Sequence, residues 1–389
     1  MKNEVLKNMI GRVMTPSYIF DLDEFEKRAN LVKSAFGDGV NLCFSIKANP
    51  FLLSNLPKVF SKIEVCSPGE LTICEKTNAD MSMVIFSGVN KTKKDVDRAM
   101  DDNVGVFTVE SYLHLDLINS SAIERGKVVP VLIRLTGGSQ FGMDEKDVEY
   151  IVDHRDDYKG VEIVGVHYFT GTQKKKAKTI IKELDYVTSF IDSVKERYNF
   201  TFNRLEYGTG LAVDYFAENA DELEEERLNS VAEKIREVGE KLNLTIEMGR
   251  FFACTCGYYF TKVIDTKTNC DVNYCIVDGG LNQLKYDGQI QGMQIPEIYH
   301  IGEETSDVKK WTLCGSLCTT ADVLARNVEL DNLQIGDTLV FKRTGAYSAM
   351  EGMAIFLSRE MPRIALYKED MGLKIVRDFI YSDIFNTPN

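Results

Sequence analysis

The chain has 389 residues, of which 44% are hydrophobic and 27% are charged, a composition typical of a soluble globular protein. Its formal net charge of −13 argues against general nucleic-acid binding, and no apolar run approaches the ~20 residues of a membrane-spanning helix. Nine cysteines without a paired framework, four histidines without metal-ligand spacing and a start without an apolar signal segment predict a cytoplasmic protein with no metal site. We therefore expect no nucleic-acid partner and no membrane association.

In chain order, the first predicted strand covers residues 15–21 and precedes the first helix. Strand-like apolar runs then alternate with charged helical stretches, which include residues 177–197 and 217–241. The eight strand candidates of this region are residues 42–46, 63–65, 83–86, 105–109, 129–135, 163–169, 204–207 and 245–248. Repeated β-then-α units predict a parallel sheet, and eight strands favour a closed (β/α)8 barrel over an open doubly wound sheet.

After about residue 255 the pattern changes to β-rich segments, at residues 258–264, 275–278, 311–313, 338–342 and 364–368. They predict a separate C-terminal β-rich domain, a barrel or a sandwich, with which the strand at 15–21 can pair. A chain of this length suits two domains. We predict an α/β barrel domain over residues 26–255 and a β domain made of residues 1–25 and 256–389.

A lysine ends the first predicted barrel strand. The apolar run from Asn41 to Ile46 predicts a short buried strand that ends at Lys47. A partly desolvated amine at such a position loses its proton readily and attacks carbonyl groups. The alternative is an ordinary lysine whose stem lets the ammonium extend from the strand end to water.

Three further polar segments, residues 167–173, 208–210 and 247–250, also follow strand candidates directly. In a (β/α)8 barrel these strand ends meet at one face, where active sites lie. Gly208-Thr209-Gly210 can bring backbone N–H groups close to a phosphate and Arg250 can clamp it, although such a turn is more often merely a turn. Glu247 is a costly buried carboxylate unless it has a partner such as a protonated pyridine nitrogen. Together these groups describe a site for pyridoxal 5′-phosphate (PLP).

Five segments carry a resemblance to a known family. They are residues 45–49 (SIKAN), 64–70 (EVCSPGE), 247–250 (EMGR), 318–322 (CTTAD) and 345–347 (GAY). On these segments the chain resembles the fold type III pyridoxal-phosphate decarboxylases, the family of diaminopimelate, ornithine and arginine decarboxylases with an alanine-racemase-like barrel. Ordered matches run from about residue 16 to residue 361, nearly the whole chain.

The resemblance implies a role for each matched residue. Lys47 is expected to form the Schiff base with PLP, Glu247 to face the pyridine nitrogen, and Arg250 and Tyr347 to lie near the phosphate. Cys318 is expected to enter the neighbouring subunit's site in a homodimer, where it or Lys47 donates a proton after CO2 has left; otherwise it is a small buried residue. The other expected cofactor-binding residues are Phe169, Thr172, Gly208, Thr209, Gly210 and Gly249, and the expected substrate-binding residues are Arg134, Thr319, Asp322 and Arg359.

The chain departs from the family pattern at three places. Phe169 stands where the family usually stacks a histidine on the cofactor ring, and His167 is either a core histidine or a functional one. Thr319 stands where an acid usually holds the distal amine of the substrate, and residues 359–362 (REMP) replace an Arg-Pro-Arg-Pro-like stretch. The pattern is similar to a divergent branch that includes decarboxylases of carrier-protein-tethered aminoacyl groups.

Four lysines follow one of the predicted strand ends. Lys174, Lys175, Lys176 and Lys178 form either a basic rim that attracts an acidic carrier protein or anionic substrate, or merely a solvated helix start. We predict a PLP-dependent α-decarboxylase, acting on an amino acid or on a carrier-bound aminoacyl group. The alternatives are a diaminopimelate- or ornithine-type decarboxylase of a free diamino acid, an amino-acid racemase on the same fold, and an inactive PLP-binding homologue.

Overall fold

The computed structural model describes residues 1–303 and 306–388. The chain divides into two compact units, each treated by itself below. The barrel unit comprises Ala29–Val213 and Glu222–Phe251, and the β unit comprises Met1–Arg28, Asp214–Asp221 and Phe252–Asn389. Residues 214–221 lie inside the range predicted for the barrel domain but group with the β unit.

In chain order the strands are β1 (Ser17–Asp21), β2 (Asn41–Ser45), β3 (Phe60–Val65), β4 (Val84–Phe86), β5 (Val106–Val109), β6 (Val129–Leu135), β7 (Val161–Tyr168), β8 (Arg204–Gly208), β9 (Asn243–Met248), β10 (Gly257–Asn269), β11 (Val272–Val277), β12 (Ile298–Ile301), β13 (Val308–Cys314), β14 (Val323–Asp331), β15 (Thr338–Lys342), β16 (Arg363–Lys368) and β17 (Gly372–Arg377). The α-helices are α1 (Asn3–Met9), α2 (Leu22–Phe36), α3 (Pro68–Lys76), α4 (Lys93–Asp101), α5 (Tyr112–Glu124), α6 (Glu145–Asp153), α7 (Ala177–Tyr198), α8 (Ala220–Lys241), α9 (Arg250–Ala253) and α10 (Asp383–Asn386). None of the helices in the described ranges combines the length and apolarity that a bilayer crossing requires.

The barrel unit is built on a closed barrel of eight parallel strands, β2 to β9 in chain order. The last strand closes on the first, with Asn41 opposite Thr245 and Phe44 opposite Met248. The predicted (β/α)8 barrel is therefore confirmed. Each predicted barrel strand matches an observed one, because these strands are buried apolar runs bounded by polar turns.

Local sequence explains where several barrel helices begin. The side chains of Ser67, Thr92 and Ser111 each accept a hydrogen bond from the backbone N–H three residues on, which caps α3, α4 and α5. In α4 the Asp95 carboxylate also accepts from the Thr92 backbone N–H, which completes a capping box. These caps fix the point at which the chain turns from each strand-end loop into the following helix.

Side-chain alternation along the strands separates an apolar layer from a polar one inside the barrel. Cys43, Ile85, Val106, Leu132 and Val164 form a buried hydrophobic cluster. Side chains two positions apart on a strand face the same way. Ser45 therefore follows Cys43 toward the carboxyl end of β2, where the polar groups described below converge.

The β unit contains a nine-stranded sheet within the described residues, with the main order β14-β13-β11-β10-β1-β16-β17 and with β15 joining β10 to β12. As predicted, the strand near the start of the chain pairs into this unit: β1 runs antiparallel to β10 and parallel to β16. Ile19, Phe260, Val340 and Ala365 pack in its core. The predicted β-rich second domain is thus confirmed, whereas β12, β14 and β17 were not predicted.

Candidate active site

Lys47 lies in a short turn directly after β2, and its amine is held by the next strand. Its Nζ donates to Glu64 Oε2 at 2.8 Å and lies 3.4 Å from Cys66 Sγ. Glu247 Oε1 on β9 is 3.8 Å away from the same nitrogen. The Lys47 side chain is 36% exposed, whereas those of Glu64 and Glu247 are 3% and 6% exposed. The amine therefore faces an accessible space while two buried carboxylates fix its position.

Glu247 is a buried carboxylate whose two oxygens both have partners. Ser45 Oγ donates to Oε1 at 3.1 Å, and His167 Nε2 lies 3.0 Å from Oε2. Burial alone raises the pKa of Glu247, but the Lys47 ammonium and the hydrogen bonds from His167 and Ser45 outweigh it and hold the pKa well below its usual range. Glu247 is therefore ionised, so His167 donates from Nε2. His167 is thus a buried residue that also donates a hydrogen bond to the Glu247 carboxylate.

Cys66 donates to the second oxygen of Glu64, and Glu70 holds the Cys66 backbone. Cys66 Sγ donates to Glu64 Oε1 at 2.8 Å, and the Cys66 backbone N–H donates to Glu70 Oε2 at 2.6 Å. Burial first, and then the Glu64 charge, raises the pKa of the Cys66 thiol, so the sulfur keeps its proton and acts as a donor. The sequence motif at residues 64–70 contains Glu64 but does not indicate a role for it. The available signal was a carboxylate at a buried strand end, which requires a partner.

A third carboxyl group, Glu206 on β8, lies beside this pair and was missed by sequence reasoning. One carboxylate oxygen of Glu206, one of Glu247 and one ring nitrogen of His167 all lie within 4.8 Å of one another. Burial first, and then the charges of Glu247 and Glu64, raises the pKa of Glu206 well above its usual value. The expectation that the chain holds no metal stays a prediction.

The glycines at the ends of β8 and β9 are sterically required. A Cβ on Gly208 would lie 2.5 Å from the ring of Phe169, and a Cβ on Gly210 would lie 2.0 Å from the carbonyl oxygen of Gly171. A Cβ on Gly249 would lie 2.7 Å from that of Ala48, next to Lys47. The turn of residues 208–210 therefore packs closely against the 169–171 segment. Thr209 is buried between these glycines.

The lysine run after Gln173 does not behave as a uniform basic rim. Lys174 is only 10% exposed and pairs with Glu183 Oε2 at 2.6 Å, and Tyr207 OH donates to the same oxygen at 2.6 Å. Burial lowers the pKa of Lys174, and Glu183 partly restores it. The prediction that Lys174 faces solvent at the rim is therefore wrong, because its side chain spans the loop to reach α7. The exposed members of the run are Lys175, Lys176 and Lys178.

The remaining predicted residues of the barrel unit lie at or after strand ends. Arg134, near the end of β6, forms a buried ion pair with Glu110 at 2.9 Å and lies 4.7 Å from the ring centroid of Phe141. Arg250 begins α9, and Thr172 is exposed in the loop after β7. The cofactor or substrate roles given to them stay predictions.

The other predicted residues belong to the β unit. Cys318 is exposed, and Thr319 Oγ1 accepts a hydrogen bond from the backbone of Ala321 at 3.3 Å. The buried carboxylate of Asp322 accepts two backbone N–H bonds at 2.8 Å, which hold the loop that carries Cys318. Tyr347 has a left-handed backbone (φ 65°), and Arg359 is half-buried. Their roles in binding also stay predictions.

The donor set at the barrel mouth fits PLP by its chemistry. Lys47 supplies an amine for the aldehyde, and ionised Glu247 supplies an anion for a protonated pyridine ring. The glycine turn at 208–210 leaves room that a Cβ would fill, and the following Arg250 offers a guanidinium for a phosphate.

Comparison with known proteins agrees with this fit. Residues 22–254 match the family described as pyridoxal-dependent decarboxylase, pyridoxal binding domain. The chain is 27% identical to the diaminopimelate decarboxylase of Aquifex aeolicus, over 96% of this chain and 91% of that protein. It is 26% identical to the L-glutamyl-(BtrI acyl-carrier protein) decarboxylase of Niallia circulans, over 94% of this chain and 91% of that protein.

The fold also matches a solved structure. The crystal structure of diaminopimelate decarboxylase from M. jannaschii superimposes with a TM-score of 0.85 at 23% identity, covering 98% of this chain and 93% of that chain. At that identity the likeness shows the fold, and the family assignment comes from the match over residues 22–254. The chain therefore belongs to the pyridoxal-dependent decarboxylase family, whose cofactor is PLP and whose activity is the decarboxylation of amino acids.

Proposed function

We propose that this protein removes the α-carboxyl group of an amino acid or aminoacyl substrate, with PLP attached at Lys47 and its ring nitrogen facing Glu247. The observation that carries the proposal is the placement of Lys47 Nζ 3.8 Å from Glu247 Oε1, at the ends of two adjacent barrel strands. PLP, when bound, supplies the electron sink that stabilises the carbanion left by CO2.

The side chains around the amine have distinct tasks in this proposal. Glu64 orients the Lys47 amine through its 2.8 Å hydrogen bond, and Glu247 remains an anion because Ser45 and His167 donate to it. Lys47, or Cys318, returns a proton to the substrate carbon after CO2 has left. Assaying CO2 release against chiral inversion separates this reaction from racemisation.

Reductive labelling tests the role of Lys47. The purified holoprotein should absorb visible light, and borohydride should fix the cofactor to the peptide that contains Lys47. Lys91 is the control lysine. It is 4% exposed, and burial lowers its pKa to about 8, so its amine is also more readily deprotonated than an ordinary lysine. Lys47→Ala should abolish labelling and Lys91→Ala should preserve it. Cofactor found on Lys91, or on any lysine other than Lys47, would contradict the proposal.

We further propose that the substrate lacks a free distal ammonium group. Thr319 can accept a hydrogen bond but carries no charge to neutralise such a group. The 26% identity to the decarboxylase of Niallia circulans, named for a carrier-bound glutamyl group, supports a carrier-tethered substrate. The exposed lysines at 175, 176 and 178 supply positive charge that suits an acidic carrier or an anionic substrate.

Substrate comparison at one ionic strength tests this proposal. Losing a charge-assisted contact costs about 1.5–3 kcal/mol, so lysine, ornithine and meso-diaminopimelate should have kcat/KM about ten- to hundredfold below a glutamyl thioester of a carrier protein. The triple variant Lys175→Ala/Lys176→Ala/Lys178→Ala should lower kcat/KM for the carrier substrate. Lys94→Ala/Lys146→Ala/Lys241→Ala removes the same charge elsewhere and should not. Efficient turnover of diaminopimelate or ornithine would overturn this assignment.

The assembly and the location of the protein are also proposals. We propose a homodimer in which Cys318 reaches the neighbouring subunit's site, supported by the exposure of this thiol in the β unit. We propose a reducing, cytoplasmic setting, since no disulfide joins any of the nine cysteines in the described part of the chain.

A further inference from the structure

Glu206 is a buried carboxyl group to which the proposed reaction gives no task. It lies on β8 between the neighbouring strands, opposite His167 on β7 and Thr245 on β9. Its side chain is 2% exposed, and within the described residues its Oε1 has no hydrogen-bond partner. A buried carboxyl group in this condition is costly and requires an explanation.

Two neighbouring carboxyl groups in a buried site cannot both be ionised without a large repulsion. Glu247 has Lys47, Ser45 and His167 as partners and is the one that carries the charge. Burial and the Glu247 and Glu64 charges raise the pKa of Glu206, so the proton resides there. The titratable and charged groups that face Glu206 from its own and surrounding strands are Cys43, Lys62, Glu64, His167, Arg204 and Glu247.

Glu206 also lines a cavity inside the barrel. Its volume is about 320 Å³, and Glu206 lines it together with Asn41, Lys62, Arg204 and Asn243. Asn41, Arg204 and Asn243 are the first residues of their strands, so the cavity lies at the amino-terminal end of the barrel. The lining also includes the apolar Ile85, Val106 and Leu132, and its polar side chains can hydrogen-bond water at the mouth. Glu206 therefore lies between that cavity and Glu247.

We propose that Glu206 is a positioning residue that remains a neutral carboxylic acid and donates a hydrogen bond to Glu247. Hydrogen bonds to a carboxylate stabilise its charged form. Glu247 then stays a weak base and leaves the proton on whatever cation faces it. The inference rests on the proposed function only in taking that cation to be the cofactor ring.

The protonation state of Glu206 can be measured without the reaction. In the unfolded chain a glutamate ionises above about 4.5, whereas Glu206 keeps its proton when folded. Wild-type stability therefore falls relative to Glu206→Gln as pH rises, because unfolding releases a proton only in the wild type. The folding equilibrium constant of Glu206→Gln relative to wild type should rise with pH above about 5.5, by about tenfold per pH unit for as long as Glu206 keeps its proton in the folded state. Thr245→Val, which alters the same cavity, should show no such slope.

If the ratio of the folding equilibrium constants of Glu206→Gln and the wild type does not change with pH, the proposal is overturned, because Glu206 is then ionised in the folded protein. If Glu206→Gln does not fold, infrared spectra of the wild type and of Glu206→Met give a second reading. At pH 7 the wild type should show the carbonyl band of a neutral buried carboxylic acid, and Glu206→Met should lack it. The same spectrum in both proteins would also overturn the proposal.

Two holoenzyme variants separate this proposal from the proposed function. Glu206→Gln keeps a donor toward Glu247 and Glu206→Met does not, so kcat of Glu206→Met should lie about tenfold or more below that of Glu206→Gln at equal PLP occupancy. The visible spectrum of bound PLP should also change with pH differently in Glu206→Met. A pH-dependent stability ratio with equal kcat and spectra would overturn the positioning role. Failure of PLP to attach at Lys47 would overturn the proposed function and leave the stability result intact.

Discussion

Gly210 is required at the barrel mouth for two separable reasons. Its φ of +60° lies in the left-handed region, and a Cβ there would lie 2.0 Å from the Gly171 carbonyl oxygen. Gly126, in the turn after α5, has φ +61° but nothing within 4 Å of a Cβ. The two glycines thus share a backbone conformation and differ in what surrounds them.

Alanine substitution at these two glycines separates backbone strain from steric exclusion. Gly126→Ala should cost only the strain of a left-handed residue, about 1–2 kcal/mol in urea unfolding. Gly210→Ala should cost about 1–3 kcal/mol more, because the 171 segment must move, and it should also weaken PLP binding measured by titration. Equal losses of stability, with PLP affinity unchanged in both variants, would show that the close approach of residues 210 and 171 has no role.

Only some of the site could be predicted residue by residue. Lys47 and Glu247 were found because each follows an apolar run and carries a group that is costly there without a partner. Glu206 was not found, because its importance comes from a second carboxylate 41 positions away in the sequence. Lys174 was misplaced, because a lysine in a charged run gives no local sign that it turns inward to Glu183.

At the scale of elements, the buried strands of the barrel are easier to predict from sequence than the strands at the sheet ends. The eight barrel strands are flanked by helices, so each is an apolar run that stands out from its surroundings. The strands β14 and β17, which were not predicted, lie at the two ends of the main sheet path. No residue of β17 is buried, and β14 begins with three consecutive buried residues, so neither sequence shows the alternation that identifies a half-buried strand.

The short segment at 214–221 illustrates a second limit of prediction by pattern. It begins after β8 and ends within the first two residues of α8, whereas the sequence pattern predicts a helix that already starts at residue 217. In the structure α8 begins at Ala220, and residues 214–221 pack with the β unit. Tyr215 lies 5.5 Å from the ring of Tyr286 in that unit. A contact over so long a separation has no signature in a local window of sequence.

For the whole molecule, the two units divide the proposed chemistry between them. Lys47 and Glu247 belong to the barrel unit, whereas Cys318, Thr319 and Tyr347 belong to the β unit. Cys318 is exposed in a loop that is fixed by the buried Asp322 carboxylate. A rigid loop that presents an exposed thiol suits a residue that acts on a partner surface, and a two-fold dimer would then form two equivalent shared sites.

Subunit mixing tests this sharing. Lys47→Ala and Cys318→Ala should each be nearly inactive alone, whereas Cys270→Ala, which removes another exposed thiol of the β unit, should remain active. After random exchange, half of the dimers contain one subunit of each kind, and one of the two sites in such a dimer has both Lys47 and Cys318. About a quarter of the wild-type activity should therefore return in a mixture of the two inactive variants. No recovery, with exchange proven by mass spectrometry of differently tagged subunits, would place Cys318 in its own subunit's site or outside any site.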